Sequence, residues 1–196
     1  MKKNTIILVS IIGFFVILFL WGMSGYNGMV TQEENVNSQW ANVESQYQRR
    51  ADLIPNLVAT VKGYATHESS TLEGVVAARA KATQITVDPT KLTPEKLQEF
   101  QAAQGQLSAA LGKLIMIKES YPELKANQNF LELQAQLEGT ENRIAVERGR
   151  FNDIAKEFNT SIRQFPKSII ASFGHFEKKP YFEAEKGSNK APAVKF

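Results

Sequence analysis

Nineteen consecutive residues without a charge, Thr5 to Met23 (TIILVSIIGFFVILFLWGM), constrain this chain more than any other feature. As a helix rising 1.5 Å per residue they extend roughly 28 Å, close to the hydrocarbon thickness of a bilayer. Trp21 and Tyr26 stand at the outer end, where amphipathic rings favour the headgroup layer. The competing reading is a cleaved signal peptide, with Gly22-Met23-Ser24 as a loose small-x-small site. The apolar core Ile6–Trp21 is longer and bulkier than a usual signal h-region, which favours an uncleaved anchor. Lys2 and Lys3 precede the span, and the next basic residue is Arg49. The positive-inside rule then predicts a single-pass protein of the cell (inner) membrane, N-terminus cytoplasmic and domain extracytoplasmic.

Beyond the span the sequence reads as all-α. Apolar residues recur at alternating steps of three and four: Val36, Trp40, Val43, Tyr47, Arg50, Ile54, Leu57, Val61, Tyr64. Pro55 falls inside this seam, but the phase survives it, so one bent helix is expected. An alanine-rich helix follows over about Ser69 to Gln84. Thr93-Pro94-Glu95 reads as an N-cap with proline in the first turn. The third seam is Leu97, Phe100, Ala103, Leu107, Ala110, Leu114, Ile117. The last helix, capped at Asn127 or Asn129, carries apolar residues from Phe130 to Phe165 and stops at Pro166. The expected architecture is an N-terminal transmembrane helix followed by an elongated antiparallel, up-down, four-helix bundle. Residues 1–4 form a short cytoplasmic start, 5–23 the anchor, 24–184 the bundle and 185–196 a polar tail expected to be disordered.

Composition removes most chemistries. There is no cysteine, so no disulfide, thiol nucleophile or Cys-based zinc site, and only two histidines, His67 and His175. His67-Glu68 lacks the second histidine of a His-Glu-x-x-His helix, because Thr71 stands in its place. Gly105 and Gly112-Lys113 are wrongly spaced for a phosphate loop, and Leu114 replaces its Ser/Thr. A net charge of +3 is weak bait for nucleic acid. No catalytic residue, metal site, cofactor or small-molecule substrate is therefore expected.

Three polar features remain. Arg50 and Glu147 interrupt otherwise apolar seams, and antiparallel packing places Arg50 level with Glu141 and near Glu147. An ion pair there sets helix register; alternatively, Arg50 snorkels to solvent over its own stem. Arg49, Asp52 and Asn56 share one face and form either a partner contact or a solvated surface with local charge pairing. Finally, a fourth helix returning to the bilayer brings Ser168–Phe176 and Pro180-Tyr181-Phe182 close to the headgroups. Ile169, Phe173, Phe176, Lys178 and Lys179, followed by Lys186, then make an apolar-then-basic tail suited to an anionic membrane surface.

Several segments also read together as a signature: QRRADLIPNLV at 48–58, YPELKAN at 121–127 and FLELQAQLEGTE at 130–141. With Tyr26-Asn27, Phe165-Pro166 and Tyr181-Phe182-Glu183, the chain closely resembles the LemA family of bacterial membrane proteins, from the anchor to about residue 185. It departs at Phe151, where the family more often has tyrosine. The resemblance implies a membrane-anchored helical bundle without established catalytic activity, in a family often encoded beside membrane metalloproteases or other envelope proteins. The expected role is a non-enzymatic scaffold or adaptor whose partners are the lipid bilayer and either another protein or its own copies. Other readings are an accessory factor of a membrane protease or envelope-stress system, a self-assembling structural protein, and a carboxylate-based enzyme.

Overall fold

The computed structural model describes residues 3–183; Lys2, Lys186 and the expected tail 185–196 lie outside them. Helix α1 (Lys3–Tyr64) does not end with the apolar span. It is one helix of 62 residues, about 93 Å long, that carries the span directly into the bundle. Pro55 removes the N–H that the Ala51 carbonyl would otherwise accept. Arg79 Nε, from the next helix, donates to that carbonyl at 2.8 Å, so the proline leaves no orphaned acceptor and the helix runs on. The first seam is buried as phased, from Val36 through Arg50 to Val61, and only Tyr64 at its end is exposed.

Helix α2 (Ser69–Gln84) doubles back along α1, and α3 (Pro94–Met116) runs outward again. Thr93 Oγ1 accepts the Lys96 N–H at 3.3 Å, with Pro94 in the first turn, as a cap of this kind requires. A 3-10 turn (Ile117–Ser120) and the short α4 (Pro122–Lys125) lead to α5 (Gln128–Ser161), capped by Asn127 Oδ1 on the Phe130 N–H. Contacts run antiparallel along α1 and α5: Tyr64 with Asn127 at the far end, Arg50 with Glu141 midway, Gln39 with Glu147 nearer the span. The fold is an all-α antiparallel bundle on a long N-terminal apolar helix.

One seam and one helix end differ from the sequence-based expectation. The seam of α3 drifts, so Leu111 is buried where Ala110 was expected, because a straight helix turns about 20° per heptad away from a 3.5 repeat. Helix α5 stops at Ser161, short of Phe165. The residue before a proline is driven out of the α region, so the chain unwinds ahead of Pro166. A short α6 (Lys167–Phe173) follows. It closes with His175 in the left-handed region (φ 56) and bonds from Phe176 N–H to Ala171 O and from His175 N–H to Ser172 O, a Schellman turn. That turn throws Phe176 back onto Phe158 and Tyr26.

The interior divides into two cores. The span-proximal one is aromatic, built on Trp40, Tyr47, Phe100, Phe151, Phe158 and Phe182. The span-distal one is aliphatic, built on Ile54, Leu57, Val61, Val75, Leu107 and Leu114, with Phe130 at its end. Past the end of α2, the linker residues Val87 and Leu92 and the C-terminal Phe182 complete the proximal packing.

Candidate functional site

Arg50 sits where the two cores meet and is only 1% exposed. One turn of helix along α3 supplies Gln104 and Ser108; α5 supplies Glu141. Arg50 Nη1 donates to Glu141 Oε1 at 2.5 Å and to Ser108 Oγ at 2.8 Å, while Nη2 donates to Gln104 Oε1. Gln104 Nε2 in turn donates to the Ala82 carbonyl near the end of α2. Three helices thus meet at one guanidinium and α2 joins them through Gln104; the guanidinium also lies 5.2 Å from the Tyr47 ring centre. The snorkelling alternative is overturned: Gln104 and Ser108 roof the side chain, and it does not reach solvent. Glu147 is not part of this group. It accepts from Gln39 Nε2 at 2.7 Å and pairs with Arg150.

Beside this layer a cleft of about 370 Å³ opens between α3 and α5, lined in part by Tyr47, Arg50, Gln101, Glu141, Arg148 and Glu183. Its carboxylate Glu141 is engaged by Arg50. Burial pushes the Tyr47 phenol above its ordinary 10.0, opposed by the Arg148 and Arg50 charges. Among the described residues, no three His, Asp or Glu side chains converge as a metal site requires.

Arg49, Asp52 and Asn56 lie together on the exposed face of α1. Gln48 Nε2 donates to Asp52 Oδ1 at 2.8 Å, one turn away. The structure brings the three side chains to one surface and leaves that surface open.

The C-terminal segment departs from the expected membrane-facing tail. Residues 177–183 run as an extended strap back along α5, away from the span. Asn159 Nδ2 donates to the Lys179 carbonyl and Asn159 Oδ1 accepts the Lys179 N–H, both at 2.8 Å. Asn152 clasps Phe182 in the same two-bond manner at 2.9 and 2.8 Å. Seven residues of helix rise about 10.5 Å, and three steps of extended chain cover about 10 Å, so both clasps close without strain. Lys179 is 6% exposed and ion-pairs with Glu33 at 2.7 Å, and Phe182 stacks on Trp40. Lys179 and Phe182 are therefore interior groups, because the Schellman turn reverses the chain before it can spread on a surface. Phe176 is packed as well, while Ile169, Phe173 and Lys178 stay exposed. The paired asparagines seven apart on α5 are the signal that could have revealed the strap.

No residue of the apolar run is buried, and the run is long and apolar enough to cross a membrane. Comparison with known proteins agrees with this layout. The model of the LemA family matches residues 39–196, and the chain belongs to that family. It is similar to magnetosome protein MamQ of Magnetospirillum gryphiswaldense, 27% identical over 186 residues, covering 86% of this chain and 68% of that protein. Magnetosome protein MamQ 2 of Paramagnetospirillum magneticum is 26% identical over 210 residues, covering 95% and 73%. Protein LemA of Metamycoplasma hominis is 25% identical over 145 residues, covering 74% and 63%.

Proposed function

We propose that this LemA-family member is a non-enzymatic, membrane-anchored scaffold that holds a partner protein at a set distance and rotation from the bilayer. The observation that carries this reading is α1: span and bundle share one uninterrupted helix of 62 residues. With no linker between them, an orientation set in the membrane is transmitted along α1 to the exposed Arg49, Asp52 and Asn56 face. That face lies about 40 to 50 Å along the helix from Met23. The likeness to MamQ 2 covers 95% of this chain and so includes both the apolar helix and the bundle. The scaffold projects from the inner membrane on the extracytoplasmic side, by the charge asymmetry around the span.

The test is crosslinking in intact cells from photoreactive residues placed at Arg49, Asp52 and Asn56 in turn. A discrete adduct with another protein supports the adaptor. Adducts only between copies turn the reading to a self-assembling envelope element, and the partner reading falls. Protease added to spheroplasts checks the side: digestion of the bundle without permeabilisation is expected, and digestion only after permeabilisation overturns the orientation.

A further inference from the structure

Outside the span, the described phenylalanines are buried or half-buried with two exceptions, Phe165 at 82% and Phe173 at 83% exposed. Leaving such a ring in water forgoes the favourable burial of a large apolar surface. The two stand at either end of α6, and Ile169, half exposed, shares a helix face with Phe173 four residues on. The opposite side of α6 is used by the protein itself. Ile170 Cδ1 lies 2.6 Å from where a Cβ on Gly25 would be, so glycine there lets the Ile170 side chain lie directly against α1. Just past α6, Phe176 packs on Tyr26 with ring centres 5.4 Å apart. Gly174 admits that pair, since a Cβ there would meet both rings within 3.0 Å.

These contacts set the depth of α6. Gly25 and Tyr26 are two and three residues beyond Met23, or about 3 to 5 Å along α1 past the apolar run. The headgroup layer on each side of a bilayer is about 5 to 7 Å thick. With Thr5–Met23 in the membrane, the end of α6 that carries Phe173 therefore lies at the level of the lipid surface, next to the apolar span, and Phe165 stands at the other end of the same short helix. Exposed Arg163, Lys167 and Lys178 flank them, with Glu177 as the one exposed acid in the turn, a balance suited to anionic headgroups.

We propose that α6 and its flanking turns form an interfacial foot, resting in the headgroup layer of the bilayer that α1 crosses, with Phe165 and Phe173 inserted beside the upper acyl chains. A single helix leaves the bundle free to tilt about its point of entry; a second, off-axis contact removes that freedom. The foot rests on the anchor reading of Thr5–Met23, and the experiment separates the two.

The chain has no cysteine, so single thiols report without background. Nitroxide labels at Ile12, Phe165, Phe173 and Met116 are introduced in the full chain, reconstituted in phosphatidylcholine–phosphatidylglycerol vesicles. Accessibility to oxygen and to a water-soluble nickel complex is measured at each. Labels at Phe165 and Phe173 are expected to favour oxygen several-fold over Met116, at the far end of the bundle, and less than Ile12. Water-like values at Phe165 and Phe173 with a deep Ile12 overturn the foot alone; water-like values at Ile12 as well overturn the anchor. Labels at Phe173 screened from both reagents mean that a protein surface covers the patch, which also overturns the lipid contact. Circular dichroism of each labelled chain confirms that the bundle is intact.

Discussion

The two halves of the bundle solve the same packing problem with different materials. The span-distal half closes on itself with aliphatic side chains from four helices, and α2 supplies the fourth wall. The span-proximal half has no α2, and fills the gap with large rings and a strap of extended chain. Trp40 lies within 5.7 Å, centre to centre, of Phe100, Phe151 and Phe182. Aliphatic packing needs only matching volume, whereas rings add preferred angles and anchor an irregular segment that has no helix ladder of its own. The proximal half is thus the more dependent on a few residues.

Trp40→Ala is the largest single break. It is expected to cost about 4 kcal/mol and to release the strap, read as loss of amide exchange protection at Lys179 and Phe182. Leu57→Ala in the distal half is expected to cost about 3 kcal/mol with strap protection retained; equal loss of protection in both variants would erase the distinction. Arg50→Ala is expected to cost about 3 kcal/mol and leave the Gln104 and Glu141 ends without their shared donor. Because Arg50 bridges the halves, denaturation in a Trp21→Phe background, followed by Trp40 fluorescence and by far-ultraviolet circular dichroism, should cease to coincide. Coincident curves in the variant would show that the halves are coupled by other contacts. Asn159→Ala is expected to cost about 2 kcal/mol, since Lys179 loses partners for both its backbone groups. Its effect belongs to the proximal half, and a thermal shift without any change in strap exchange would count against the clasp.

The smallest effect is one of pH. The buried Tyr47 phenol titrates above its ordinary 10.0 in the folded chain, so the unfolded chain ionises first as pH rises. Stability from this group is therefore complete below about pH 10 and declines as pH climbs through the raised folded value. Tyr47→Phe should flatten that alkaline decline. Tyr121 in the distal half is raised too, by desolvation and by Glu68, but it is only partly buried where Tyr47 is buried, and Tyr121→Phe should change the slope less.

Local signals were readable wherever the physics was local. Thr93 before Pro94 and the phase of the Val36–Val61 seam each depend on neighbours within a turn or two, and each is found in the structure; of the two caps open for α5, Asn127 and Asn129, the structure takes Asn127. That Arg50 stands level with Glu141 was readable too, from antiparallel packing of the two helices; that it pairs there rather than snorkels was decided by Gln104 and Ser108. Less legible was anything that depended on a partner far along the chain. Nothing near Lys179 marks it as interior, since its partners are Glu33 and Asn159. Nothing near Pro55 says that Arg79 will occupy the carbonyl it frees. Glu147 interrupts its seam much as Arg50 does, yet Gln39 and Arg150 take it elsewhere.

By itself the sequence determined that the chain is helical, that its first nineteen-residue apolar run can cross a bilayer, and where most helices begin. Those properties follow from hydrophobic period and capping, which act over a few residues. Only the tertiary structure decided that span and bundle are one helix, that the C-terminal segment turns inward as a strap, and that Phe165 and Phe173 are left facing outward. Those outcomes depend on partners far apart in the chain: Phe182 stacks on Trp40 and Phe176 packs on Tyr26, contacts that no pattern of a few residues encodes.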